Sequence, residues 1–458
     1  MAERFELVEK AILKMVEDKK YATLRDILVT MNPADIAGIF NSLDDKRIPL
    51  MFRLLPKELA AETFVEMEPE DQELLIQGFS DNELKEVLDE LYVDDAVDII
   101  EEMPANVVRR ILSQADPEMR QSINQILRYP ENSAGAWMTT EYVSLRPSMT
   151  VEEAILRIRR QGVDKETIYT CYVTKDRKLL GIVTVKDLLL AEDDEMLISD
   201  LMVTELISVN THTDQEEVAS MFSKYDFLAM PVVDNENRMV GIVTVDDAID
   251  VMEEEATEDI ELMGGMLPSE DTYLRSTVWE LFKNRIPWLL FLMLSATFTG
   301  LIINSFEDAL AAQMALSAFI PMLMGTGGNS GSQSSVTIIR ALSLDEVEFS
   351  DLPKVVWKEI RTAVLCGAAL AVVCFIKIWL VDRLLFGNPD ISLMVDAVVC
   401  LAMFVTVLLA KTVGAVLPMV AKILKLDPAV MASPFITTIV DALSLLVYFL
   451  FATMLLGI

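Results

Sequence analysis

The chain holds a single histidine, His212, among 458 residues. Imidazole is therefore not available as a recurring metal ligand, and no Ser/His or Cys/His pairing for nucleophilic catalysis stands out. The four cysteines, Cys171, Cys366, Cys374 and Cys400, share no CxxC spacing, which argues against a zinc site and a disulfide framework. Neither an HExxH helix nor a glycine-rich phosphate loop ending in lysine occurs, so an enzyme is not expected. Metal chemistry would have to use oxygen ligands, which favours Mg2+, Ca2+ or Mn2+. The opening run MAERFELVEK has no apolar signal region, and the first 283 residues are expected to stay in the cytosol. Basic residues are also scarce there. Residues 1–283 carry 60 Asp and Glu against 28 Lys and Arg, whereas residues 284–458 carry 12 against 10. Such an acidic part repels nucleic acid and attracts cations, although most of these carboxylates are ordinary solvated surface.

The last third is apolar. Five spans are expected, roughly at 286–306, 310–340, 362–381, 392–420 and 429–457, each near the ~20 residues that cross a bilayer. Basic residues alternate between the connecting segments, which sets the N-terminal part inside and the C-terminus outside. The second span contains GTGGNSGSQS at residues 325–334. These residues suit either close helix contact or the wall of a hydrated path, and different faces can serve both. Asp441 is the only charged residue from position 429 to 458. A carboxylate at bilayer depth is costly and marks a pathway or a partner; the alternative is a buried acid paired with Lys411 or hydrogen-bonded within the bundle. Thr437 lies four residues earlier on the same helical face. Pro434 is expected to bend this span. Asp396 and Lys377 are expected at the outer interface.

The acidic two-thirds divides again. Residues 1–130 read as short amphipathic helices with prolines near their ends, and a weak repeat near 25 residues suggests a stacked superhelix. A sharper repeat follows: GIVTVKD at 181–187 returns as GIVTVDD at 241–247. Each copy has an apolar strand before it and a helix after it, giving a β-α-β-β-α unit of about 60 residues, twice over. The pattern resembles the CBS-domain pair. That resemblance implies a possible adenine nucleotide such as ATP, with Thr184 and Asp187, and Thr244 and Asp247 in the second copy, as contacts. The competing role for these residues is a strand-to-helix cap. Beyond the pair, carboxylates at 247, 250, 254 and 258 share a helix face, where like charges repel and a divalent ion would relieve them. That helix is expected to run on toward Trp279. Asp94, Asp95 and Asp98 form another acidic group at a helix start.

Taken in order, the chain resembles the MgtE family of magnesium channels, chiefly through GTGGNSGSQS, ATEDI at 256–260 and the Pro434–Asp441 segment. The fold this implies is multi-domain: an all-α superhelical N-domain (1–131), an α/β CBS-domain pair (137–253), a linking helix (254–283) and an all-α bundle of five transmembrane helices (284–458). The resemblance further implies a homodimer in membrane lipid, with a pore between subunits. It casts Asp441 as the pore carboxylate, the Thr437 carbonyl as its neighbour and Asp427 at the cytosolic mouth. Regulatory Mg2+ is implied at Glu62, Asp94, Asp98, Asp226, Asp247, Asp250, Glu255, Glu258 and Asp259. One departure is Ser433, where the family often has Asn. The implied function is Mg2+ import across the cell membrane, gated closed by cytosolic Mg2+. Transport of Co2+, Mn2+ or Ca2+, or a non-conducting Mg2+ sensor, are the alternatives.

Overall fold

The computed structural model describes residues 2–269, 273, 276–344, 346–385, 391–431 and 433–457. The side chain of Ser433 lies outside the described residues. The chain divides into two units, residues 1–252 and 253–458.

The first unit begins with ten short helices between Ala2 and Ile126. Helices starting at Pro33, Lys57, Asp81 and Ala105 follow one another at intervals of 24 residues, and each packs on the next. The 24-residue interval is close to the weak repeat near 25 residues seen in the sequence. Proline explains the boundaries: Pro33, Pro69 and Pro117 occupy first helical positions, where a missing N–H costs nothing. Phe52, Phe64 and Phe79 meet in the shared core at centroid distances of 5.4–6.3 Å.

Two three-stranded sheets follow, with the same topology. In the first, Tyr142–Leu145 runs parallel to Thr167–Lys175, which pairs antiparallel with Lys178–Thr184. In the second, Val209–Asn210, Ala229–Val233 and Met239–Thr244 repeat that order. The segment before each first strand crosses to the other copy: Thr139 bridges Ile242, and Val203 bridges Ile182. The two α/β copies are thus exchanged at their edges.

The helix Val245–Met263 (the connecting helix) carries residues of both units. It does not continue toward Trp279. Gly265 takes a left-handed φ of +71°, open to glycine at little cost. A separate helix starts at Val278, capped by Thr277 and Glu280.

Among the described residues of the second unit, four helices are long and apolar enough to cross a membrane: Val278–Ser305, Phe349–Leu385, Leu393–Ile423 and Pro428–Leu456. The expected second span is broken into Glu307–Ala312, a 3-10 stretch Met314–Phe319, and the helix Ile320–Ser343. That last piece, the glycine-rich helix, has 24 residues and so the length to cross, about 36 Å. Its glycines and hydroxyls keep it short of the apolarity of the other four. It packs on both Leu393–Ile423 (the fourth helix) and Ser433–Leu456 (the last helix). Contact is closest where a Cβ on Gly414 would lie 2.3 Å from the Gly331 carbonyl oxygen, so position 414 tolerates no side chain. Pro434 does not bend a helix. It sits at the second position of Ser433–Leu456, after a 3-10 turn over Pro428–Met431, and a first-turn proline removes no helical hydrogen bond. Asp396 is buried within the bundle, with 3% of its surface exposed. Lys377 pairs with Asp382 at 2.7 Å. All four cysteines are free thiols.

Candidate cation pathway and acidic sites

The last helix puts Asp441 two turns beyond Pro434. Its Oδ1 is buried and has no hydrogen-bond donor. Lys411 is not its partner: the Lys411 ammonium donates to Ser334 Oγ at 3.4 Å. Thr437, one turn before Asp441, packs against Gly328, whose Cβ would come within 2.9 Å of the threonine methyl. A buried carboxylate oxygen without a donor is expensive to keep. A hydrated divalent cation is a species that such an oxygen can hold through the ion's water shell.

The glycine-rich helix has two contrasting faces. Gly327, Gly328, Ser330, Gly331, Ser334 and Ser335 are buried against its neighbours. Asn329, Gln333, Thr337 and Arg340 are exposed, spaced by four, four and three residues and hence aligned. Close contact and polar exposure therefore occur together, on opposite sides of one helix.

In the first unit, Asp94, Asp95 and Asp98 lie on the helix Val93–Glu102, within the field of Asp247 on the connecting helix. Burial, reinforced by Asp247, raises Asp95 to about 7 and Asp98 to about 8. Asp94 is raised for the same reasons, and its Oδ1 has no hydrogen-bond partner. Burial and then Asp95 raise Glu166 to about 8. Asp247 rises to about 6 through burial, moderated by the Thr244 hydroxyl that donates to it at 2.5 Å. Among the described residues Asp94, Asp95, Asp98 and Asp247 make no ion pair. Burial, with Asp250, also raises Glu66. Glu62 and Asp226 are exposed, and Asp226 closes the helix Gln215–Tyr225 in a left-handed conformation.

In the second unit, the connecting helix brings Glu258 and Asp259 near Asp427, with Glu255 beside them. Burial, then Asp427, lifts Asp259 to about 6. The Ser343 hydroxyl donates to it at 3.5 Å. Asp427 accepts the Ala429 amide at 2.7 Å, which caps the turn leading into the last helix. Among the described residues no three His, Cys, Asp or Glu side chains form a ready metal cage. These acids suit an ion held partly by water rather than a dehydrated site.

Thr184 and Asp187 form a reciprocal cap. The Thr184 hydroxyl donates to the Asp187 carboxylate at 2.5 Å and accepts the Asp187 amide at 3.1 Å. Both are engaged as the capping alternative required, and Thr244 repeats the hydroxyl–carboxylate bond. Sequence reasoning did not single out Glu66 or Glu166. Glu166 enters the acidic field from a strand start, where its amide bonds the Glu141 carbonyl, and no periodicity announces that.

The raised acids have a stability consequence. Their folded values lie above the ordinary carboxylate value of about 4, so the folded state retains protons that the unfolded state has lost. Their contribution is greatest below about pH 4 and falls as pH rises toward about 8. We expect the melting temperature in EDTA to drop between pH 5 and pH 8, and millimolar Mg2+ to remove most of that drop. A melting temperature independent of both pH and Mg2+ would contradict the shared acidic field.

Comparison with known proteins agrees with this architecture. Residues 320–451 match the family described as MgtE, divalent cation transporter. Residues 31–132 match the MgtE intracellular N domain, and residues 134–194 and 198–254 match CBS domains. The magnesium transporter MgtE of Thermus thermophilus is 36% identical over 438 residues, spanning 94% of this chain and 95% of the relative. The Bacillus subtilis magnesium transporter MgtE is 33% identical over 449 residues, 98% and 97% of the two chains. The solved cytosolic domain of the Mg2+ channel MgtE in complex with ATP covers 53% of this chain and 99% of its own, with 36% identity and a TM-score of 0.51.

Proposed function

The chain belongs to the MgtE family of magnesium transporters, a family of transporters rather than enzymes, and from that premise we propose that it is a Mg2+ channel that imports the ion across the cell membrane. The glycine-rich helix counts as the fifth membrane span, with the N-terminal unit in the cytosol and the C-terminus outside. Asp441 is the carboxylate that receives the ion, helped by the Thr437 carbonyl, and Asp427 stands at the cytosolic mouth. The protein works as a homodimer with the path between subunits. The observation that carries this reading is the exposed row Asn329, Gln333 and Thr337. The Thr337 hydroxyl donates to the Gln333 carbonyl at 2.8 Å, but the side-chain amides of Asn329 and Gln333 find no partners in lipid, so a second copy and the water of a path supply them.

Cytosolic Mg2+ closes the channel. The acids at Glu62, Asp94, Asp98, Asp226, Asp247, Asp250, Glu255, Glu258 and Asp259 repel one another without the ion and are drawn together by it. The field around Asp247 and the pairing of Asp259 with Asp427 support this. ATP is the proposed ligand of the CBS pair at Thr184 and Asp187, in line with the relative solved with ATP. Purified protein in liposomes, loaded with a Mg2+-sensitive dye, tests the whole reading. Influx that follows an imposed voltage and ignores a pH gradient is expected. Absence of flux would favour a non-conducting sensor, and equal flux of Co2+, Mn2+ or Ca2+ would remove the selectivity.

A further inference from the structure

Three helices share a buried polar link that the pathway described above does not use. Lys411 on the fourth helix is 5% exposed, and Ser334 on the glycine-rich helix is 2% exposed. The Lys411 ammonium donates to Ser334 Oγ at 3.4 Å. The Ser334 hydroxyl donates to Glu359 Oε2 at 2.6 Å, and Glu359 belongs to the helix Leu352–Lys377. The backbone contact between Gly331 and Gly414 makes the link possible. Ser334 lies three residues after Gly331 and Lys411 three before Gly414, so the two side chains meet one turn away from that contact.

A lysine buried at membrane depth needs a reason and a counter-charge. Asp441 does not supply one, because it makes no ion pair with Lys411. The serine hydroxyl is an acceptor for the ammonium and a donor to the carboxylate, so it transmits the Glu359 charge to Lys411 across a distance that lacks a direct ion pair. The preceding residue, Gln333, belongs to the exposed polar row. A fixed positive charge across one helix from that row would still oppose a doubly charged cation twice as strongly as a singly charged one.

We propose that Glu359, acting through Ser334, masks the positive charge of Lys411 from the cation path, which makes Glu359 a positioning residue for conduction. The inference rests on the reading that a divalent cation passes along the glycine-rich helix. Three variants in liposomes test it: Glu359→Gln, Lys411→Met and the two combined, with Mg2+ influx measured per folded protein and melting temperature in parallel. Glu359→Gln uncovers the charge and is expected to lower influx about tenfold, on the scale of one uncompensated charge in a partly dry site. Lys411→Met should keep influx within about twofold of the parent, and the double variant should recover to a similar level.

Melting temperature separates this from a purely structural role. Breaking a buried link from either side lowers stability, so both single variants should melt earlier. Only Glu359→Gln should conduct poorly once folded. Equal loss of influx in both single variants, or no rescue in the double variant, overturns the proposal. If Glu359→Gln does not accumulate as folded protein, Ser334→Ala keeps both charges and breaks their link. It should lower influx about threefold, with recovery when combined with Lys411→Met, and an unaffected Ser334→Ala protein would equally overturn the proposal. Parent protein without any Mg2+ influx would instead sink the channel reading itself.

Discussion

Asp441→Asn is expected to reach the membrane folded, to melt no earlier than the parent protein, and to lose Mg2+ influx by close to a hundredfold. Asparagine matches aspartate in size, so packing of the last helix changes little. What disappears is the charge on a carboxylate whose Oδ1 is buried without a donor. A unit charge and a divalent cation separated by one water, about 7 Å, interact by about 5 kcal/mol at an effective dielectric of ~20. If half is lost to competing water, about 2.5 kcal/mol remains, close to a hundredfold in ion occupancy. Stability should move the other way or not at all, because an unpaired buried charge is a burden in the absence of the ion. This opposition is the useful part of the test. A structural acid would lose stability and flux together, whereas a pathway acid loses flux alone. Influx near the parent level in folded Asp441→Asn would remove the residue from the pathway. Asp441→Glu keeps the charge but shifts it by a methylene, and should fall between the two.

Much of the architecture was legible because it rests on repetition. Helix starts at Pro33, Lys57, Asp81 and Ala105 keep a constant interval, and that interval shows in the sequence through proline and apolar spacing. GIVTVKD and GIVTVDD occupy matching strands and caps in the two sheets. The helix ends were less legible. The polar face of the connecting helix gave no warning that Gly264 and Gly265 would stop it, since a glycine ends a helix only where the left-handed turn is used. Pro434 was misplaced for a related reason: whether a proline bends a helix or begins one depends on where the helix starts, and the 3-10 turn at Pro428–Met431 decides that. Asp441 could be found from its isolation in an apolar run. Its separation from Lys411 could not, because that depends on Ser334 and Glu359, 77 and 52 residues away along the chain from Lys411. The acidic field around Asp247 was half visible: its aspartates cluster in sequence, but Glu166 joins it only through folding, as Glu66 does the field of Asp250.

Neutralising Asp247, Asp250, Glu255 and Asp259 together, by Asn and Gln, is expected to leave the channel open at millimolar cytosolic Mg2+, a concentration at which the proposed gating closes the parent protein. All four lie on the connecting helix, which also carries Glu258. Asp247 faces Asp94, Asp95 and Asp98, and Asp259 faces Asp427, just before the last helix. Moving a two-state gate from almost all open to almost all closed takes a differential affinity of about 10⁴, or about 5.5 kcal/mol. Spread over four carboxylates, that is about 1.4 kcal/mol each, a reasonable share for a charge interacting with a hydrated ion in a partly buried site. Removing all four should therefore abolish closure, while any one alone should only raise the Mg2+ concentration at which it occurs, by about tenfold. Patch recordings across a range of Mg2+ on the cytosolic face read this directly. The variant also separates two effects that the parent combines. If the acids acted through repulsion alone, neutral side chains would imitate the ion, and the channel would be shut at every Mg2+ concentration. If the ion must bridge them, amides offer it nothing to bridge, and the channel stays open. The open outcome is expected because Asp94 Oδ1 is buried without a partner and no Lys or Arg pairs with Asp94, Asp95, Asp98 or Asp247 among the described residues, so it falls to the cation to hold the closed arrangement together.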